Sequence, residues 1–462
     1  MYQLYSYRPK RFLRFLQKYS WKEGVFIFGS FLSGPLLIYL LSLKRFIQAT
    51  EKKKKLIWTS KVSRLFFVTS ILFLVISWGR PAYVLFSIPF LIILSSFLLI
   101  PLEKMIEKKY LKEAADKLQE IQPLVIGITG SYGKTSIKHI LYHFLKNFKK
   151  TLMTPGSTNT LMGITKHIRE NLVHQEIYIV EMGARELGNI KEICDLVHPE
   201  IGIISYIGNQ HMEYFESQEN LLKTKLELAE SSKSVFFNLD SPFLGDYKNK
   251  FHTKYYSLGD KEANLYVKNI EIKNEYTYFT VVEDEKEYFL KTKLLGKNHI
   301  SNILAALIVA RSLGLSWTML ETLTFSLPQI QHRLELKKEN NITILDNGFN
   351  SNIEGSKDAL EVMKALPGKN KIIITPGFVE LGEETLSAHQ KFAEHIAKNT
   401  DRVILVGKAL GMEEALQVLN YPQEYLFKVN NLQEAKIKLK EILQVDDVVL
   451  FENDLSDDFL WL

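Results

Sequence analysis

The stretch VIGITGSYGKTSIKHIL, residues 125–141, sets an apolar run, two glycines, the pair Lys134-Thr135 and a helical pattern in one order. No other feature restricts the fold as much, because a strand, a tight anion-binding turn and a helix belong together in a parallel α/β sheet. The general pattern G-x-x-x-x-G-K-[ST] asks for glycine at position 128, where the chain has Ile128. Gly127 sits one residue too far back and Gly130 two too close, so the loop is a shortened one. Gly130 and Gly133 allow backbone N–H groups to turn inward around an anion, and a helix starting near Lys134 aims its positive end at the same point. Lys134 adds a full charge, and the Thr135 hydroxyl can reach a magnesium ion. A glycine turn followed by a chance Lys-Thr is the plainer alternative.

The residues before the loop carry a different pattern. Runs 25–43 and 82–102 are uncharged and near the roughly 20 residues that span a bilayer, and the apolar run 65–78 is shorter. Basic residues flank them at 52–64 and 104–112, which by the positive-inside rule lie on the cytoplasmic side. Residues 1–112 therefore read as a membrane segment of two or three transmembrane helices. That predicts a multi-pass protein of the cell (inner) membrane, with its catalytic domains cytoplasmic. A re-entrant path around Gly29, Gly34 and Pro35 stays open, as does burial of these segments in a soluble protein. The formal net charge of +6, with its basic residues beside apolar runs, favours membrane lipid as a partner and no nucleic acid. The single cysteine, Cys194, excludes an intramolecular disulfide and a cysteine-cluster metal site.

The 462-residue chain is long enough for two or three domains. From residue 113 short apolar runs alternate with helical periodicity: VIGIT, IYIVEM (177–182), IGIISYI (201–207) and SVFFNLD (234–240). This predicts an α/β domain over 113–327 with a mainly parallel sheet. Residues 263–297 alternate polar and apolar with turn signals at Lys273-Asn274 and Glu283-Asp284, which adds antiparallel strands to that sheet. A second α/β series over 328–462 reads as a smaller, Rossmann-like domain.

Further segments follow the loop in a fixed order: TPGSTNTLMGI (154–164), EMGARELGNI (181–190), IGNQHMEYFESQENLLKTKLEL (207–228), QHRLE (331–335) and DNGFNSN (346–352). Together with T-G-[ST]-x-G-K-[ST] at residues 129–135, this set resembles the Mur ligases, ATP-dependent amide-forming enzymes of peptidoglycan precursor synthesis. The wording DNGFNSN, TPGFVELGEE (375–384) and VVLFENDL (448–455) is closest to the branch that adds D-alanyl-D-alanine. The resemblance covers roughly residues 120–458.

The resemblance implies a central P-loop-type ATPase domain, a C-terminal Rossmann-like domain, and ATP and Mg2+ as cofactors. It places nucleotide contacts at Thr129, Gly130, Ser131, Tyr132, Gly133, Lys134, Thr135 and Ser136, and at Asn302, Arg333 and Asp346. It implies catalytic roles for Lys134, His211 and Lys225, and a metal set of Thr135, Glu181, His211 and Lys225, the lysine as a carbamate. Asn159, Thr160, Arg185, Asn350 and Asn352 would meet the substrates, a UDP-linked or lipid-linked peptidoglycan precursor and an amino acid or dipeptide. Physically these residues suit one another, because activating a carboxylate with ATP crowds negative charge that buried cations must neutralise.

Individually each residue has a plainer reading. Glu181 could pair with Arg185, a lone histidine such as His211 is usually structural, and Lys225 could be an exposed helix lysine. Lys223, two residues earlier, should face differently on the helix and serves as a control.

The chain also departs from the family. Gly296-Lys297-Asn298-His299 has His and Asn exchanged relative to Gly-x-His-Asn, and Asn347 stands where a second Asp is common. The apolar segment occupies the place of a soluble UDP-binding domain, from which a lipid-linked acceptor is expected. The competing functions are a membrane-bound, ATP-binding regulator without ligase activity and a glutamate-adding, folate-type member of the same superfamily.

Overall fold

The computed structural model describes residues 59–76, 81–208, 215, 217–247, 250–348, 352–378, 385–407, 409 and 411–453. The chain divides into two compact units, residues 1–109 and 110–462. In the first, helix α1 (Ser60–Ile76) is 17 residues long. The long helix α2 (Pro81–Ile121) begins in this unit and ends in the next. Arg64 on α1 donates to Glu103 on α2 at 2.7 Å, and Thr69 Oγ1 donates to Ser95 Oγ at 2.9 Å.

This corrects the transmembrane expectation: among the described residues, no helix is long and apolar enough to cross a membrane. At about 1.5 Å per residue α1 reaches only about 25 Å, short of a hydrocarbon core of about 30 Å. The multi-pass location and the membrane-lipid partner fall with the spans, and the lipid-linked acceptor loses its motive. The run 25–43 lies outside the described residues.

The second unit holds two sheets. The first has nine strands in the order β2-β3-β1-β4-β5-β6-β7-β8-β9. Its chain order begins β1 (Leu124–Thr129), α3 (Lys134–Leu145), β2 (Thr151–Met153), α4 (Leu161–Asn171) and β3 (Ile177–Glu181). It continues with α5 (Asn189–Val197), β4 (Ile201–Ile204), α6 (Gln218–Ser231), β5 (Ser234–Asn238) and β6 (Thr253–Ser257). Strands up to β7 (Leu265–Lys273) are parallel, and β8 (Tyr276–Glu283) and β9 (Lys286–Thr292) close the edge antiparallel. Each hairpin turns on two residues with positive φ, Asn274 (51°) and Glu275 (65°), then Asp284 (49°) and Glu285 (63°). That geometry suits the right-handed strand twist.

Helices α7 (Lys297–Ser312) and α8 (Trp317–Phe325) complete this part, and α7 packs with α3 in the core on one face of the sheet. Side chains from α4, α5 and α6 form the core on the other.

The second sheet has the order β10-β11-β15-β12-β13-β14. Its elements are β10 (Glu335–Glu339), β11 (Ile342–Asn347), α9 (Ile353–Ala365), β12 (Lys371–Thr375), α10 (Thr385–Asn399) and β13 (Arg402–Val406). Helix α11 (Met412–Val418), β14 (Leu426–Val429), α12 (Leu432–Ile442) and β15 (Val448–Glu452) finish it. Only the β10–β11 edge is antiparallel.

The N-terminus of α7 carries a link between the two sheets. Asp358 on α9 accepts from the backbone N–H of Lys297 at 2.9 Å and of Asn298 at 2.8 Å. A carboxylate there satisfies orphan donors and complements the helix dipole. Gly296 is required beneath it, since a Cβ at that residue would stand 2.6 Å from Asp358 Oδ2.

Candidate active site

Strand order creates the site. Central β1 is flanked by β3 and β4, with Ile128 beside Glu181 and Thr129 beside Ile204 in register. Open α/β sheets bind ligands outside such strand ends, where the order reverses. The loop after β1 is held by its neighbour: Ser131 N–H donates to the Tyr206 carbonyl at 2.9 Å, and Ser131 Oγ donates to the Gly208 carbonyl at 3.0 Å. Thr129 Oγ1 donates to the Met182 carbonyl at 3.0 Å, and the Tyr132 and Tyr206 rings stack. Gly130 and Gly133 have φ of 143° and 84°. Side chains there would also collide, because a Cβ would meet Ser205 Oγ at 1.9 Å and Asn302 Oδ1 at 2.3 Å respectively. Ser136 is buried in the first turn of α3.

Cations converge on one carboxylate. Lys134 Nζ donates to the carbonyls of Gly130 at 2.8 Å and Ser131 at 3.0 Å. Glu181, 1% exposed, accepts from Thr135 Oγ1 at 3.0 Å, Lys138 Nζ at 2.8 Å and Asn159 Nδ2 at 3.1 Å. The Glu181 carboxylate thus pairs with Lys138 rather than Arg185, whose side chain is exposed. Burial lowers the Lys134 pKa from 10.5 to about 8; the Glu181 charge opposes this and the Arg333 charge adds to it. Arg333 comes from the segment entering the second sheet, and burial lowers it to about 10 against the pull of Glu181.

Lys225 is 4% exposed on α6. Burial, and then the Lys134 charge, push its pKa well below the usual lysine range, with Glu227 opposing. Lys223 instead points outward and pairs with Glu219 at 2.7 Å.

The remaining candidates take varied places. Thr160 caps α4 by accepting from Gly163 N–H, and Asn352 caps α9 by accepting from Gly355 N–H at 2.8 Å. Asp346, at the end of β11, accepts from Lys337 Nζ at 2.8 Å and His332 Nδ1 at 2.9 Å. His332, Glu335 and Asp346 could together hold a cation, but the Lys337 ammonium already stands 3.0 Å from Glu335 and 2.8 Å from Asp346. Asn347 accepts from Leu334 N–H at 3.1 Å and donates to the buried Glu452 at 2.9 Å. An aspartate at 347 would face that carboxylate, which accounts for the amide. His211 and Asn350 lie outside the described residues.

Sequence reasoning missed Lys138. Its signal was available: four residues after Lys134, it interrupts the apolar side of SIKHIL at a spacing that keeps both on one helix face. Replacing Lys138 with Met leaves Glu181 buried without its cation, and we expect a loss of about 3 kcal/mol in denaturant unfolding. Adding Glu181→Leu should recover most of that stability while the protein stays inactive. A single variant as stable as the parent would show that the pair is unimportant.

A glycine loop at strand ends, a hydroxyl–carboxylate pair beside it and an arginine delivered by a second α/β sheet define a nucleotide-dependent enzyme that works between two domains. The chain belongs to the Mur ligase family: the Mur ligase middle domain matches residues 128–310, and the Mur ligase, glutamate ligase domain matches residues 332–452. It is thus an ATP-dependent ligase of the peptidoglycan-precursor type.

Two relatives named UDP-N-acetylmuramoyl-tripeptide–D-alanyl-D-alanine ligase illustrate the similarity. That of Bacillus subtilis is 26% identical over 344 residues, 72% of this chain and 74% of the relative. That of Escherichia coli is 26% identical over 298 residues, 63% of this chain and 66% of the relative. The crystal structure of MurF ligase from Thermotoga maritima in complex with ADP aligns with a TM-score of 0.67 at 25% identity, covering 75% of this chain and 80% of that one.

Proposed function

We propose that the chain joins D-alanyl-D-alanine, or a closely similar dipeptide or amino acid, to the free carboxylate of a UDP-linked peptidoglycan precursor. One observation carries the reading: the half-buried Lys134 and Arg333 and the buried Lys138 gather around a single carboxylate, Glu181. Such an excess of positive charge in a dry site suits a triphosphate and the anion that forms as phosphate is transferred. The relatives' names supply the choice of substrates.

In the proposed reaction a substrate carboxylate oxygen attacks the γ-phosphorus of ATP, and ADP leaves. The incoming amine then attacks the acyl carbon, loses a proton, and phosphate departs. Lys134 and the loop N–H groups hold the phosphates in line, and Arg333 adds charge from the second domain as the domains close.

Magnesium fits the donor set. Thr135 Oγ1 and Glu181 Oε2 lie 3.0 Å apart and are hard oxygen donors of the kind magnesium takes, with Lys138 Nζ sharing Oε2 at 2.8 Å. Thr135 and Glu181 would hold it, and when bound it would neutralise phosphate charge. A carbamate fits Lys225 as well, since burial favours the neutral amine, the form that reacts with carbon dioxide. Forming the N–C bond releases a proton and turns that neutral amine into an anion.

The test is phosphate release from ATP by the full chain, with product mass spectrometry, in the presence of UDP-muropeptide and D-alanyl-D-alanine. Release that requires both substrates, and a product heavier by the dipeptide less water, is expected. Release independent of either, or nucleotide binding without turnover, would favour a regulator instead.

A further inference from the structure

His299 occupies a position where the chain exchanges His and Asn relative to the family order, and its surroundings show what the exchange accomplishes. The ring is 5% exposed in the first turn of α7, with Nε2 standing 2.8 Å from the Arg333 carbonyl. A carbonyl only accepts, so Nε2 carries the proton and Nδ1 is left as a bare acceptor. Nδ1 is buried without a partner, a condition that costs about 1–3 kcal/mol. The ring is kept despite that penalty, which points to the bond from its other nitrogen.

The turn that receives this bond is strained. His332 and Leu334, on either side of Arg333, have φ of 58° and 51°, each costing about 1 kcal/mol or more for a residue other than glycine. Asp346 holds it through the His332 ring, Asn347 through Leu334 N–H and His299 through the Arg333 carbonyl, beside local bonds from His332 N–H to Glu335 and from Arg333 N–H to the Ile330 carbonyl. The first two belong to the second sheet, whereas His299 sits on α7. One turn further along that helix, Asn302 fills the space beside Gly133 of the nucleotide loop.

We infer that His299 is a positioning residue: its Nε2–H fixes the Arg333 backbone so that the guanidinium stays at the Lys134–Glu181 site, coupling the second domain to the loop through α7. This rests on the ligase reading above. Side-chain reach makes it specific, because a glutamine amide nitrogen falls where imidazole Nε2 lies, whereas an asparagine amide falls near Nδ1 and stops short of the carbonyl.

The experiment measures kcat and KM for ATP, with binding of a fluorescent ADP analogue and thermal melting, for His299→Asn, His299→Gln, Arg333→Ala and the pair His299→Asn with Arg333→Ala. His299→Asn should lower kcat/KM for ATP at least about twentyfold, and His299→Gln should return it to within about threefold of the parent. Arg333→Ala should then cost little more in the Asn background than the Asn change alone. A His299→Asn enzyme that matches the parent, or fully additive losses in the pair, would overturn the inference. If His299→Asn does not fold, 15N spectra of the parent decide instead, with His299→Gln giving the assignment: an Nδ1–H tautomer for His299 rejects the bond. A parent that neither binds the ADP analogue nor releases phosphate would defeat the ligase reading itself, an outcome distinct from either result.

Discussion

Replacing Lys134 with alanine will reduce kcat/KM for ATP by about a thousandfold or more, because a full charge disappears from a dry site built around phosphate. The parent's pH dependence should reveal the same group. With the Lys134 pKa lowered to about 8 in the free protein, kcat/KM for ATP falls as pH rises through about 8. Bound phosphates favour the ammonium, so kcat itself should hold to a higher pH.

Stability should move the other way. The folded pKa lies below the ordinary 10.5, so between about 8 and 10.5 the unfolded chain binds more protons and stability rises with pH. Activity lost in that window is therefore not unfolding. By the same reasoning Lys134→Ala, which removes a desolvated charge, should melt no lower than the parent. A variant that still uses ATP, or an alkaline limb in which activity and folding vanish together, would contradict the assignment.

Lys225→Ala should separate binding from chemistry. The variant is expected to bind ADP as the parent does and to ligate at least about a hundredfold more slowly. The parent should lose activity in buffer stripped of carbon dioxide and regain it with bicarbonate. Lys223→Ala, two residues away, removes only an exposed pair with Glu219 and should ligate at the parent's rate. Bicarbonate-independent activity in the parent would remove the carbamate. Full ligation by Lys225→Ala would remove the residue from the mechanism.

The two lysines show how much of the site was legible. On a helix of known register, Lys223 and Lys225 had to face different ways, and they do: one reaches solvent and the other is buried. The sequence could not say that Lys225 lies close enough to Lys134 for their charges to interact. Thr160 and Asn352 show a local role that the family motifs did not announce. Besides the substrate contacts expected of them, each closes the open N–H groups of a helix N-terminus, which their short polar side chains suit.

The membrane expectation failed for a different reason. Hydropathy measures the length of an apolar run, whereas a span depends on the length of apolar helix, and among the described residues no helix is long and apolar enough, α1 having only 17 residues.

By itself the sequence determined the local units: the shortened loop between β1 and α3, the two-residue turns of the β7–β9 meander, and the chemistry available at Lys134, Thr135, Glu181 and Lys225. These depend on backbone preference and on periodicity over a few residues, which are written in consecutive positions. Tertiary structure alone decided that Lys138 would be the buried counter-ion of Glu181, that His299 would anchor Arg333, and that Asn347 would lie against Glu452. Those pairings join elements far apart in the chain. Their strength comes from burial, because removing water raises both the cost of a lone charge or acceptor and the value of its partner.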